Sequence, residues 1–192
     1  HLFGKPANMA EICNIAKDYD LIVIEDAACG FGSRIKEKHV GQFGTTGCFS
    51  FHPRKSITTG EGGMITTNDN DIALKLRSLR DHGATISDLQ RHNGPKPYLL
   101  AEHNIAGWNQ RMTDIQGVLG LNQLKRADSI LNERQELESI YKSKLAELHF
   151  LQLPKQSDDE THGYQSFATM IKTNIDENMS KGEISKLITD TE

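Results

Sequence analysis

Cys48-Phe49-Ser50-Phe51-His52-Pro53-Arg54-Lys55-Ser56-Ile57-Thr58-Thr59-Gly60-Glu61-Gly62-Gly63-Met64 is the stretch that decides the fold. Cys48 to Phe51 reads as a short buried strand with Ser50 on the face opposite Phe49 and Phe51. A turn at His52-Pro53 comes next, and a glycine-rich return leads into a second strand from Met64 to Thr67. Proline fixes its own φ and pushes His52 out of the helical region, so the backbone is set just before Lys55. A lysine presented in that way is either a surface charge or a nucleophile aimed at a site.

An amine in a partly desolvated pocket loses some preference for its charged form, and a neutral lysine condenses with aldehydes. The aldehyde most often met so is pyridoxal phosphate, which also needs an acid beside its ring nitrogen and polar groups for its phosphate. Asp26 comes directly after Leu21-Ile22-Val23-Ile24-Glu25, a predicted apolar strand whose carboxyl end is where open α/β sheets place ligands. Ser50 lies just upstream of Lys55 and offers a hydroxyl. Each has a plainer reading: Asp26 as the cap of a following helix, Ser50 as a serine satisfied by nearby backbone.

Five ordered blocks now carry a resemblance. Glu25-Asp26-Ala27-Ala28, Gly41-Gln42-Phe43-Gly44, Phe49 to Lys55, Thr59-Gly60-Glu61-Gly62-Gly63 and Asn109-Gln110-Arg111-Met112-Thr113-Asp114-Ile115-Gln116 resemble the DegT/DnrJ/EryC1/StrS family of sugar aminotransferases, in the variant typified by perosamine synthases. The resemblance implies an α/β fold like that of aspartate aminotransferase, pyridoxal-phosphate fold type I. It implies the second half of the large domain over residues 1–126, a connecting helix over 127–150 and the start of the small domain over 151–192, so that the chain resembles a fragment.

The same resemblance assigns roles. Lys55 holds the cofactor aldehyde and then works as base and acid, Asp26 pairs with the pyridinium nitrogen, and Ser50 donates to the phosphate. Asn109 matches an asparagine that reaches the phosphate of the neighbouring subunit's cofactor, which implies a homodimer with shared sites. Cys29 stands beside the cofactor ring where the family often has glutamine or histidine. His52 contacts substrate or packs under the turn, Glu61 holds that turn, and the role of Arg111 is open. The implied reaction moves an amino group from an amino acid, L-glutamate by resemblance, to a keto carbon of a nucleotide-linked deoxysugar, at C4. Two alternatives stand beside it: a non-catalytic scaffold, and a sugar dehydratase on the same fold in which histidine replaces the lysine. Lys55 argues against the second.

The rest of the chain bounds these readings. Its 192 residues, 36% hydrophobic and 25% charged, are those of a globular protein with a sizeable core, and a net charge of −4 gives no reason to expect nucleic acid or an acidic membrane as partner. Cys13, Cys29 and Cys48 form no CxxC pair, so a reducing, cytoplasmic setting is expected. His39, His82, His92 and His103 lack metal-ligand spacing, so no metal is expected, and the absence of GxxxxGK argues against a nucleoside triphosphatase. Gly60, Gly62 and Gly63 read as backbone-geometry residues.

Local signals place the other elements. Met9, Ile12, Cys13 and Ala16 recur at helical spacing, with Pro6 placed in the first turn and the helix running to about Asp18. Residues 27–47 read as irregular. Asp69 to His82 reads as a helix capped by Asn68 or Asp69 and stopped at Gly83. Residues 84–110 lose periodicity, and Trp108 reads as an interface or core anchor. Thr113 and Gln116 form a capping box for a helix through Leu124, and Asp128 to about Leu148 makes a second. Residues 154–163 read as a polar linker, Phe167 to Ile171 as a strand and Lys181 to Thr189 as a helix.

Overall fold

The computed structural model describes residues 1–98 and 100–172. The expected helix at 181–189 lies outside them. Helix α1, Met9–Asp18, starts at Asn8, whose side chain accepts from the Glu11 N–H at 3.4 Å. Pro6 therefore precedes the cap instead of occupying the first turn, because Asn8 supplies the side-chain acceptor.

Strand β1 is Ile24–Asp26, shorter than the apolar run suggested and reaching one residue further. Hydrogen bonding sets those limits, since β1 pairs in parallel with β4, Thr46–Ser50, in the register Ile24↔Thr46, Glu25↔Gly47 and Asp26↔Cys48. Leu21 and Ile22, just before this edge strand, and Ile24 within it are left exposed. Strand β5, Gly63–Thr66, runs antiparallel on the other side of β4, with Ser50 opposite Gly63. The order β1-β4-β5 thus puts the strand that leads to Lys55 in the middle.

Residues 27–47 are not irregular throughout. They contain a hairpin of β2, Arg34–Ile35, and β3, Lys38–His39, turned at Lys36 with φ of 53°. The polar linker is also partly ordered. Strand β7, Glu160–Thr161, pairs with β2, and the next residues, His162, Gly163 and Tyr164, are buried. No sequence pattern announces that pairing because its partner is more than a hundred residues away. Strand β6, Leu151–Gln152, pairs with β8, Met170–Ile171, which is the only part of the expected 167–171 strand to form a ladder.

Helix α2, Asn70–Arg80, is capped by Asp69, whose carboxylate accepts from the Asp71 and Ile72 N–H groups. It ends short of His82, since His82 and Gly83 turn left-handed, at φ 57° and 78°. A Cβ on Gly83 would run into the Ile105 carbonyl, so only glycine fits this approach. The short helix α3, Asp88–His92, interrupts the aperiodic segment. Helix α4, Asp114–Leu124, carries the expected capping box of Thr113 and Gln116. Helix α5 is Ala127–Leu145, ending a turn before Leu148. The outer face of α4 is apolar and open: Ile115 is 83% exposed and Val118 62%.

Candidate active site

The site is built at the carboxyl ends of β1 and β4. Beyond β4 the Phe51 N–H donates to the Gly62 carbonyl at 2.9 Å, and the Phe51 carbonyl accepts from the Thr59 N–H at 3.1 Å and the Thr58 hydroxyl at 2.9 Å. These bonds close the loop that carries the lysine. Within it the Lys55 N–H donates to the His52 carbonyl at 2.9 Å, a tight turn with Pro53 at its second position, where a fixed φ suits it. Gly62, at φ 147°, lies so close to Thr59 that a Cβ would meet the hydroxyl at 2.6 Å.

The loop delivers the Lys55 ammonium to the turn after β1, where Nζ lies 3.2 Å from Cys29 Sγ. That turn is closed by the Gly30 N–H on the Ala27 carbonyl at 2.8 Å. A thiol is a weak acceptor, so this contact orients the amine without clamping it as a carboxylate would.

Register fixes which side chains share a face. Asp26 is paired with Cys48, and Ser50 is two residues further along β4, so all three point to one side of the sheet. The Cys48 thiol reports this grouping, because burial and then the negative charge of Asp26 push its pKa up. Asp26 Oδ1 accepts from the Ala28 N–H at 3.0 Å, a bond inside the turn after β1; no helix follows for it to cap, because the chain runs through this turn into the β2–β3 hairpin. Its Oδ2 accepts no hydrogen bond among the described residues. Ser50 Oγ accepts from the His52 N–H at 3.4 Å, which leaves its own proton to donate.

Glu25, next to Asp26, points to the opposite face and is buried. Its carboxylate accepts from the N–H groups of Gly41 at 2.7 Å, Phe43 at 2.5 Å and Gly44 at 2.6 Å, and pairs with His1 Nε2 at 2.9 Å. The residues 41–44 are thereby strapped to β1. Sequence reasoning gave Glu25 no role, although an acidic pair at a strand end must split between two faces.

His52 stands 3.9 Å from Glu61 and uses Nδ1 to accept from the Arg54 N–H at 3.2 Å, so in its neutral form the ring proton sits on Nε2. Glu61 is also held by its carbonyl, which accepts from Gln116 Nε2 at 3.0 Å, so the capping box of α4 braces the glycine turn. Arg111 is ion-paired with Asp81, which gives it a structural partner. Asn109 is exposed and is not brought to Lys55; its backbone bridges to Asp81. Trp108 is 60% exposed, so it is no core anchor, and among the described residues only its backbone is hydrogen-bonded, to Leu79 and His82.

A model of the DegT/DnrJ/EryC1/StrS aminotransferase family matches residues 1–190. The chain belongs to that family. It is 38% identical over 173 residues to a GDP-perosamine synthase of Escherichia coli O157:H7, covering 90% of this chain and 44% of that protein. Among solved structures, an aminotransferase from Psychrobacter cryohalolentis superposes with a TM-score of 0.86 at 33% identity, over 99% of this chain and 50% of that one. The E. coli GDP-4-keto-6-deoxy-D-mannose-3-dehydratase, solved with bound hydrated pyridoxal phosphate, superposes at 0.80 and 25% identity, over 99% of this chain and 49% of that one. The chain thus spans about half the length of the proteins it matches. Its fold is that of the fold-type-I sugar aminotransferases, a family that depends on pyridoxal phosphate.

Proposed function

We propose that this chain supplies the lysine side of a pyridoxal-phosphate site in an aminotransferase acting on a nucleotide-linked keto-deoxysugar. The observation that carries the reading is the convergence at one sheet end of Lys55 on a closed turn with Asp26 and Ser50 on one face. These residues fit the cofactor: an amine for its aldehyde, an oxygen of Asp26 without a hydrogen bond among the described residues for its ring nitrogen, and a hydroxyl with a proton to give for its phosphate. Bound, that group supplies an aldehyde and a ring able to take up electrons.

The protein's own part is positioning and proton transfer. Asp26 holds the proton on the ring nitrogen, and Ser50 anchors the phosphate. Lys55 Nζ leaves its weak thiol contact, takes the proton from the α-carbon of the amino donor and later returns it. Cys29 packs beside the ring, a contact of sulfur on π-surface. His52, half-exposed beside Glu61, faces the sugar substrate. The exposed Asn109 side chain reaches the site of a second subunit in a homodimer, L-glutamate is the donor, and amination falls at C4 of the sugar. The setting is the cytoplasm; among the described residues no helix is long and apolar enough to cross a membrane.

The experiment is a half-reaction. The chain incubated with pyridoxal phosphate and L-glutamate should form 2-oxoglutarate, and a Lys55→Ala variant should not. Equal formation by both proteins would contradict the assignment of Lys55.

A further inference from the structure

Gln165 touches both neighbours of the lysine. Its Nε2 donates to the Arg54 carbonyl at 2.5 Å, and its Oε1 accepts from the Ser56 hydroxyl at 3.0 Å. This orientation of the amide is dictated by chemistry, since the Arg54 carbonyl accepts and cannot donate. The side chain thus straddles Lys55 like a clip. Without it, the Arg54 carbonyl would have no partner among the described residues, and the buried Ser56 hydroxyl would lose its acceptor.

The clip is itself held firmly. Arg134, on α5, donates Nη1 to the carbonyls of Tyr164 at 2.8 Å and Gln165 at 3.3 Å. The Gly163 N–H donates to the Gly4 carbonyl at 2.8 Å, and Ser33 Oγ donates to the same carbonyl at 2.6 Å. Tyr164 donates its hydroxyl to Glu138 at 2.8 Å. A segment anchored to α5 and to the start of the chain therefore reaches back to the lysine turn.

We propose that Gln165 is a positioning residue for Lys55: by fixing the carbonyl before the lysine and the hydroxyl after it, its amide sets the direction in which the amine is presented. The proposal rests on the reading of Lys55 as the cofactor lysine. A long, flexible side chain inherits its aim from its Cα–Cβ bond, so a turn free to rock would spread Nζ over many positions and slow every reaction needing one of them.

The test uses the whole chain as wild type, Gln165→Ala, Gln165→Glu and Ser56→Ala. Amide hydrogen exchange over residues 51–59 is compared with that over α1, and pyridoxal phosphate is trapped with borohydride and the adducts counted at Lys55 and at the exposed Lys17. Loss of both bonds should speed exchange over 51–59 about tenfold and lower the Lys55-to-Lys17 adduct ratio by a similar factor, with α1 unchanged. Gln165→Glu, which keeps an acceptor for Ser56 but sets an oxygen against the Arg54 carbonyl, should behave like the alanine variant. Should Gln165→Ala fail to fold, Ser56→Ala, which removes one bond from the other side, decides with a smaller effect of the same sign. Unchanged exchange over 51–59 overturns the proposal, and so does faster exchange with an unchanged adduct ratio, which would make Gln165 a stiffener only. If the wild type forms no adduct at Lys55, the cofactor reading fails instead, and exchange alone decides whether Gln165 clips the turn.

Discussion

Replacing Glu25 should damage the protein more than replacing any other carboxylate near the site, and the reason lies in its donors. Its side chain is fully buried and accepts three backbone N–H groups, from Gly41, Phe43 and Gly44, besides meeting His1. In Glu25→Ala those three N–H groups lose their acceptor inside the protein. At about 1–3 kcal/mol for each buried group left unpaired, with partial rescue by water, the loss comes to about 3–6 kcal/mol. Typical domains have about 5–15 kcal/mol in total, so this variant stands near the threshold of folding. Glu25→Gln separates the charge from the bonds. Its amide oxygen still serves Phe43 and Gly44 while its NH₂ meets the Gly41 N–H, so one donor is orphaned and the cost is about 1–3 kcal/mol. Urea unfolding followed by far-ultraviolet circular dichroism measures both. Losses below about 1 kcal/mol in both variants would refute the claim that Glu25 straps residues 41–44 to β1.

Acid should weaken the fold around His162. Burial first, and then the positive charge of Lys5, depress its pKa from 6.5 to about 4, against the pull of Glu138 and Glu160. The unfolded chain therefore binds a proton between pH 6.5 and 4 that the folded chain refuses, so stability present above pH 6.5 is lost as pH falls towards 4, with a ceiling of about 3 kcal/mol. A melting series across that window should lose its slope in His162→Gln, and an unchanged slope would contradict this. Gly83→Ala should cost about 1–2 kcal/mol from the left-handed backbone alone, and more from the Ile105 carbonyl in its path, read as faster hydrogen exchange at Trp108 and Gln110. The open apolar side chains of α4 and β1 should make the chain associate, seen as a sedimentation coefficient that rises with concentration; a constant monomeric value would contradict it.

The features legible in the sequence are local ones. The capping box of Thr113 and Gln116, the Asp69 cap and the His52-Pro53 turn each depend on residues within four positions, and each forms where expected. The gathering of Asp26, Ser50 and the Lys55 turn at one sheet end is legible through the family blocks, not through periodicity. Features set by pairing over distance escape. Whether Glu25 or Asp26 shares a face with Ser50 depends on the parity of β1 against β4, and two adjacent acids carry no signal of it. Gln165 falls between the polar linker of 154–163 and the strand expected from Phe167, where nothing local marks it, yet it contacts Arg54 and Ser56 because β7 and Arg134 deliver it there. The limits of β1 differ from the apolar run because hydrophobicity marks where a strand wants cover, whereas the ladder with β4 decides where it is a strand.

The most direct test of Lys55 as the cofactor lysine is to map where pyridoxal phosphate attaches. The purified chain is mixed with the cofactor, reduced with borohydride, digested and sequenced by mass spectrometry, beside Lys55→Ala and Asp26→Asn. A single dominant adduct at Lys55 is predicted in the wild type, none in its place in Lys55→Ala, and a weaker visible band in Asp26→Asn. Adducts spread evenly over exposed lysines such as Lys17, with no preference for Lys55, would contradict it.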